Sequence, residues 1–240
     1  MSDLVAAAHG TADPRGIRVV HALVREIARQ RPEVAVSLGF VDVDHPALSP
    51  LVGRVVADSN HAVIVPLLLS SGYHVTHDVN AEAARHPMAV TAAAPLGPHP
   101  VLARILADRL ELGDVDRVVL AAAGSSDRRA LVDCSAVAAD LAEVVDRPVE
   151  VGYVSGAGER LGAVLDRMRG RVAVATYLLA PGFFADRVAA LGERAGARVS
   201  EPLGADPRLA ALALHRYDEA LRVTAVAGST TRCGWRPAAV

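Results

Sequence analysis

The sequence predicts an α/β protein built from two repeated domains, each a parallel sheet with helices on both faces, facing one another across a cleft. Three observations predict it. The first is a chain written twice. Leu4-Val5-Ala6-Ala7-Ala8-His9-Gly10-Thr11-Ala12-Asp13 resembles Val118-Val119-Leu120-Ala121-Ala122-Ala123-Gly124-Ser125-Ser126-Asp127, and three further matches follow in the same order. Gly39-Phe40-Val41 recurs as Gly152-Tyr153-Val154, Leu68-Leu69-Ser70-Ser71-Gly72-Tyr73 as Leu178-Leu179-Ala180-Pro181-Gly182-Phe183, and Pro95-Leu96-Gly97 as Pro202-Leu203-Gly204. One match between Ala-rich stretches could be chance, but four in the same order mark a duplicated unit of ordinary domain size. The second observation is the alternation of short apolar runs with helical periodicity. The third is that those runs are apolar throughout, as expected of strands covered on both faces.

The elements follow in order. Leu4–Ala8 is an apolar run ending at His-Gly, a strand opening into a loop. Ile17, Val20, Val24, Ile27 and Ala28 recur at helical spacing until Pro32 stops them. Val34–Val43 is the second expected strand, and Leu48, Leu51, Val52 and Val55 mark the second helix. Ala62–Leu69 is the most apolar run and the expected central strand. A polar loop over Ser70–His77 should lead to a helix near Asp78–Arg85, with Met88–Ala93 and Val101–Leu110 completing the half. The second half repeats the pattern through Val118–Ala122, Val149–Val154, Val172–Leu179 and Ala197–Ser200. The expected division is 1–112 for the first domain, 113–224 for the second and 225–240 for a loose tail, because no pattern continues beyond Arg222.

Composition narrows the function classes. With 52% apolar residues but only 3% aromatic, the core must be made of Ala, Val and Leu. Net charge is −2 and the Arg residues are scattered, which gives no nucleic-acid footprint. The chain has no Lys, which excludes a P-loop lysine and a lysine Schiff base. Cys134 and Cys233 are too far apart in sequence to suggest a ligand pair or a disulfide framework. No apolar run has membrane-spanning length and no leader is visible, so a cytoplasmic protein without membrane partners is expected.

The chemistry-bearing residues fall at one edge. His9 follows the first strand, His74 follows the third, and Asp42 and Asp44 stand near the end of the second. Spaced two apart, the two carboxylates would share a side of an extended strand. An open α/β sheet binds its ligands beyond the carboxyl ends of its strands. Two imidazoles, a carboxylate and open positions suit a first-row divalent ion, and a neutral imidazole also accepts a proton near pH 7. A histidine at a strand end is more often a hydrogen-bonded loop residue. The repeat shifts that balance: Ala123 and Phe184 stand where His9 and His74 do, while the neighbouring glycines persist. Scaffold is thus shared, and chemistry is confined to the first half. Ser70-Ser71-Gly72-Tyr73 could present backbone N–H groups to an anionic ligand, although turn chemistry explains it nearly as well. His45 could line the cleft, whereas His77 reads equally as surface polarity.

His9-Gly10-Thr11, the stretch Pro66-Leu67-Leu68-Leu69-Ser70-Ser71-Gly72-Tyr73-His74, and Phe40-Val41-Asp42 followed by Pro46 together resemble the class II chelatases of the sirohydrochlorin cobaltochelatase and ferrochelatase type. The likeness spans both halves, since longer members of that family carry two fused copies of a small form. It implies a flavodoxin-like fold in each half and sirohydrochlorin as substrate. His9 would bind the metal and accept a pyrrole proton, and His74 would be the second ligand. Leu69, Ser70, Ser71, Gly72 and Tyr73 would form the substrate loop, with Asp44 beside the substrate. Asp42 stands where the family commonly has Glu. Being one methylene shorter, it suggests a water-bridged or proton-relay role. No cofactor is implied beyond the divalent metal substrate (Fe²⁺, Co²⁺ or Ni²⁺), with Fe²⁺ favoured over Co²⁺ for a product feeding sirohaem or cobalamin. One chain could close its own cleft as a monomer. A non-catalytic tetrapyrrole or metal carrier would use the same residues and stands as the alternative. A histidine phosphatase would want Arg where Ala8 is, and a periplasmic sugar-binding protein would not confine its site residues to one half.

Overall fold

The computed structural model describes the backbone of residues 2–71 and 73–230, and the side chains of residues 2–71 and 77–223. The first half runs β1 (Asp3–Ala8), α1 (Pro14–Gln30), β2 (Val36–Phe40), α2 (Leu48–Ser59), β3 (Ala62–Pro66), α3 (Tyr73–Arg85), β4 (Val90–Ala92) and α4 (Pro100–Asp108). The second repeats it as β5 (Arg117–Ala122), α5 (Arg128–Val145), β6 (Val149–Tyr153), α6 (Leu161–Arg167), β7 (Val172–Tyr177), α7 (Phe183–Arg194), β8 (Arg198–Val199) and α8 (Pro207–Thr230). Each half forms a four-stranded parallel sheet, ordered β2-β1-β3-β4 and β6-β5-β7-β8. The first and third strands of each repeat are central, as their apolar sequences require. Leu4, Val5, Ala6 and Ala7 are fully buried, as are Val118, Val119, Leu120 and Ala121.

Alternation along those strands assigns the two faces of each sheet. Val5 and Ala7 turn outward onto α2, with Leu48, Leu51 and Val52, and Val119 and Ala121 do the same onto α6 and α7. Leu4, Ala6 and Ala8 turn inward, as do Val118, Leu120 and Ala122, and both sets belong to one continuous core running through α1, α4, α5 and α8. The molecule is therefore layered: outer helices, a sheet, a shared helical layer, the other sheet and the opposite outer helices.

The shared layer crosses the sequence boundary. α8, from the second half, packs on α1, β3 and β4 of the first, while α4 packs on α5 and β7 of the second. The division at residue 112 follows the duplication but not the packing. Each half's last helix covers the other half's sheet, and neither half closes its inner face without the exchange. α8 also runs on to Thr230, so the segment expected as a tail from residue 225 begins as helix. Val223, Ala225, Val226 and Ala227 permit this, since no Pro interrupts them and Gly228 comes late. Among the described residues no helix is long and apolar enough to cross a membrane.

Three expected boundaries move, and the moves matter for the site. β2 ends at Phe40, before Asp42. β3 ends at Pro66 rather than Leu69. α3 begins at Tyr73, five residues before the expected Asp78, so the backbone of His74 is in the helix's first turn rather than in a loop. For the two strands, the apolar run extends past the point where the neighbouring strand stops pairing, and composition does not record that limit.

Candidate functional site

The first loop of each half is built the same way. Gly10 and Gly124 adopt φ of +96° and +95°, conformations that L side chains rarely take. Both also lie against the backbone of the neighbouring strand's loop, at the carbonyls of Asp42 and Ser155. The chain then reverses through a hydroxyl: Thr11 Oγ1 accepts from the Asp13 N–H at 3.1 Å, and Ser125 Oγ from that of Asp127 at 3.0 Å. Asp13 and Asp127 in turn cap α1 and α5, accepting from the N–H groups of Arg15 at 2.8 Å and Arg129 at 2.9 Å. One loop geometry thus occurs twice, and it presents His9 in the first half but Ala123 in the second.

Between the halves, beyond the carboxyl ends of β1, β3, β5 and β7, lies a cavity of about 460 Å³. The small residues at the strand ends, Ala8 and Ala122, leave room for it. Its walls are Leu67, Leu68 and Leu69 on one side, and Leu178, Leu179, Phe183 and Phe184 on the other. His9 is exposed at its edge and is the one histidine lining it among the described residues. The floor carries Cys134, Tyr153 and Tyr177. Burial pushes the Cys134 thiol and the Tyr153 hydroxyl each up to about 12, and the Tyr177 hydroxyl well above its ordinary value. These groups stay neutral at physiological pH, so the cavity floor offers donors but no charge.

Two side chains of the second half hold the loop that follows β3. The Tyr177 hydroxyl donates to the Leu69 carbonyl at 2.5 Å, and the Ser71 N–H donates to Asp133 Oδ2 at 2.7 Å. At the opposite rim, Arg15 bridges Asp13 and Asp186 at 2.7 and 2.6 Å, linking the start of α1 to the first turn of α7.

The candidates read from sequence separate on this frame. His9, Leu69 and Ser70 line the cavity, and Ser71 is fixed beside it. Gly72 and the side chains of Tyr73 and His74 lie outside the described residues. Asp42 and Asp44 are not on the cavity lining. The shared-side geometry expected for them does not hold, because β2 has ended and the chain bends through Val43 at φ +55°. Asp42 is nonetheless next to His9: its N–H donates to the His9 carbonyl at 3.0 Å, and its exposed carboxylate accepts from the Val43 N–H at 2.8 Å. Asp44 Oδ1 accepts from the His45 N–H at 2.8 Å, and its Oδ2 is buried without a partner. His45 is exposed and off the lining. Among the described residues no group of three or more His, Cys, Asp and Glu side chains gathers into a closed metal site.

Sequence reasoning missed the floor (Cys134, Tyr153, Tyr177), the loop clamp Asp133 and the two phenylalanines. A signal for the phenylalanines existed, since Phe183 and Phe184 occupy the repeat positions of Tyr73 and His74. For Tyr177, the signal was a hydroxyl where the other half has the apolar Leu67.

Comparison with known proteins agrees with this architecture. SirB from Bacillus subtilis with Fe³⁺ superposes with a TM-score of 0.78 at 20% identity, over 92% of this chain and 96% of that one. The sirohydrochlorin chelatase SirB from Bacillus subtilis subspecies spizizenii in complex with cobalt gives 0.75 at 20% identity, over 92% and 95%. CbiX, described as the terminal enzyme for biosynthesis of siroheme in denitrifying bacteria, gives 0.68 at 20% identity, over 92% and 99%. Among curated proteins there is no match. A family model, CbiX, matches residues 3–112 and again 117–220, one copy for each half, and the chain belongs to the CbiX family.

Proposed function

We propose that this protein is a chelatase that inserts a divalent metal ion into sirohydrochlorin, with Fe²⁺ as the ion and Co²⁺ its nearest competitor. The observation that carries the reading is His9, the one imidazole among the described residues at the edge of an otherwise neutral and largely apolar cleft between two parallel sheets. Membership of the CbiX family and the likeness to SirB and CbiX support the same substrate.

The ion is a substrate and must leave the protein, so few and labile ligands serve better than a closed tetrahedral cage. An open position beside one or two imidazoles meets that need. A free-base tetrapyrrole carries two inner N–H protons that depart as the metal enters. His9 is proposed to present the ion from one face and, as the ion passes to the ring, to take a pyrrole proton on the imidazole nitrogen the ion vacates, acting then as a general base. His74, in the first turn of α3, is proposed as the second ligand. Asp42, hydrogen-bonded through its backbone to His9 and open to water, is proposed to pass the proton to solvent rather than to hold the ion. Leu69 to Tyr73 are proposed to contact the macrocycle, and Asp44, which lies off the cavity lining, is left out of that contact. The substrate's carboxylates would remain at the open rim, to be neutralised by Arg or backbone N–H groups. Because both walls come from one chain, a monomer suffices.

The test is an anaerobic absorbance assay of purified protein with sirohydrochlorin, offered Fe²⁺, Co²⁺ and Ni²⁺ in turn. The reading expects metallation above the nonenzymatic rate, lost in His9→Ala and reduced several-fold in Asp42→Asn with KM unchanged. Tight binding without turnover would establish a carrier instead. A fully active His9→Ala would remove His9 from the site.

A further inference from the structure

The sequence contains three phenylalanines. Phe40 is in the core at 2% exposure, while Phe183 and Phe184 are 75% and 39% exposed. Both exposed rings line the cavity between the halves. They meet edge to face with centroids 5.5 Å apart, and they form the first turn of α7, where Gly182 ends the preceding loop. Exposed apolar rings are costly to leave in water, and adjacent ones rimming a concave site mark a place where apolar surface is to be covered. Neither ring is required by the packing of α7, whose buried contacts are made by Val188 and Gly192.

We infer that Phe183 and Phe184 form an aromatic platform against which the flat face of the tetrapyrrole ring rests. The second half would then supply the binding surface for the macrocycle, while His9 of the first half supplies the metal. The inference rests on the chelatase reading and specifies it. Three features support a conjugated ring as the occupant. The platform is continuous with an apolar wall of Leu178, Leu179 and Pro181. The floor beneath it is uncharged. Aromatic faces also stack on planar π-systems in offset or edge-to-face geometry, which adds to the gain from the area buried. The repeat gives the division of labour a structural form: at the positions where the first half has Tyr73 and His74, the second has two rings that cannot ligate a metal.

The test is an absorbance titration of metal-free sirohydrochlorin into wild-type protein, Phe183→Ala, Phe184→Ala and Phe184→Leu. A separate Co²⁺ titration without macrocycle and a far-UV circular dichroism spectrum accompany each variant. The expected result is macrocycle affinity about tenfold weaker in each alanine variant, a magnitude set by the loss of one stacked ring. Phe184→Leu should be intermediate, Co²⁺ binding unchanged, and KM should rise with kcat nearly constant. Wild-type affinity in both alanine variants, with the wild type binding normally, would overturn the platform and leave the chelatase reading standing. Failure of the wild type to bind sirohydrochlorin would overturn both.

Discussion

Tyr177→Phe isolates the contribution of the second half to the first half's loop. Tyr177 is 2% exposed, and its hydroxyl donates to the carbonyl of Leu69, four residues before Tyr73. In the second half the matching carbonyl, Leu179, accepts from the Gly204 N–H at 2.8 Å. In the first half the matching Gly97 N–H goes to Leu68 instead, at 3.3 Å, and the tyrosine hydroxyl takes its place. Among the described residues this is the Leu69 carbonyl's hydrogen bond, so phenylalanine would leave a part-buried acceptor unpaired while preserving the ring's packing. Such a loss costs about 1–3 kcal/mol. Taking about 2 kcal/mol, and roughly 2–4 °C per kcal/mol for a chain of this size, Tm should fall by about 4–8 °C. The loop also carries the residues proposed to touch substrate, so KM for sirohydrochlorin should rise several-fold. Differential scanning calorimetry and steady-state kinetics on the same preparation read both effects. Tyr153→Phe is the control, because among the described residues its hydroxyl pairs with the weak Cys134 thiol, and its Tm shift should be less than half as large. An unchanged Tm and KM in Tyr177→Phe would refute the clamp.

Gly10→Ala should destabilise the fold by at least about 1–3 kcal/mol, because φ +96° is strained for alanine and the new methyl meets the Asp42 carbonyl. Gly124→Ala, with φ +95° and the Ser155 carbonyl in the same place, should destabilise similarly. Only Gly10→Ala should slow metal insertion beyond its effect on stability; equal slowing in both would detach His9 from the chemistry. Stability should also fall in acid. Arg208 hydrogen bonds hold Asp206 below the usual carboxylate range, Arg15 and Arg129 do the same for Asp13 and Asp127, and Arg29 brings Glu26 down to about 2. With folded pKa values below unfolded ones, this stabilisation is complete above the unfolded values near ~4 and is lost as pH falls towards about 2. Urea unfolding from pH 6 to 2.5 should show the decline, and Asp206→Asn should flatten part of it; an identical slope in the variant would mean the pairs do not contribute.

The duplication, the parallel sheets and the position of His9 at a strand's carboxyl edge were legible in the sequence because each is a local property. A strand buried on both faces must be apolar along its length, as Leu4–Ala8 and Val118–Ala122 are, and a loop that needs φ near +95° needs glycine, as at Gly10 and Gly124. The caps Asp13 and Asp127 are equally local. What the sequence alone could not decide depends on which atoms meet across the molecule. The exchange of α4 and α8 between the sheets leaves no trace in periodicity, because an amphipathic helix buries the same face whichever sheet it covers. The displacement of Asp42 and Asp44 from the cleft comes from where β2 stops pairing, not from their spacing. The bonds from Tyr177 and Asp133 to the Leu69–Ser71 loop join residues more than sixty positions apart. The sequence thus determined the two scaffolds and the position of His9 at their edge. Only the tertiary structure decided that the half lacking counterparts of His9 and His74 builds the floor, the loop clamp and the aromatic wall of the same cleft, because those roles rest on proximity that no local pattern encodes.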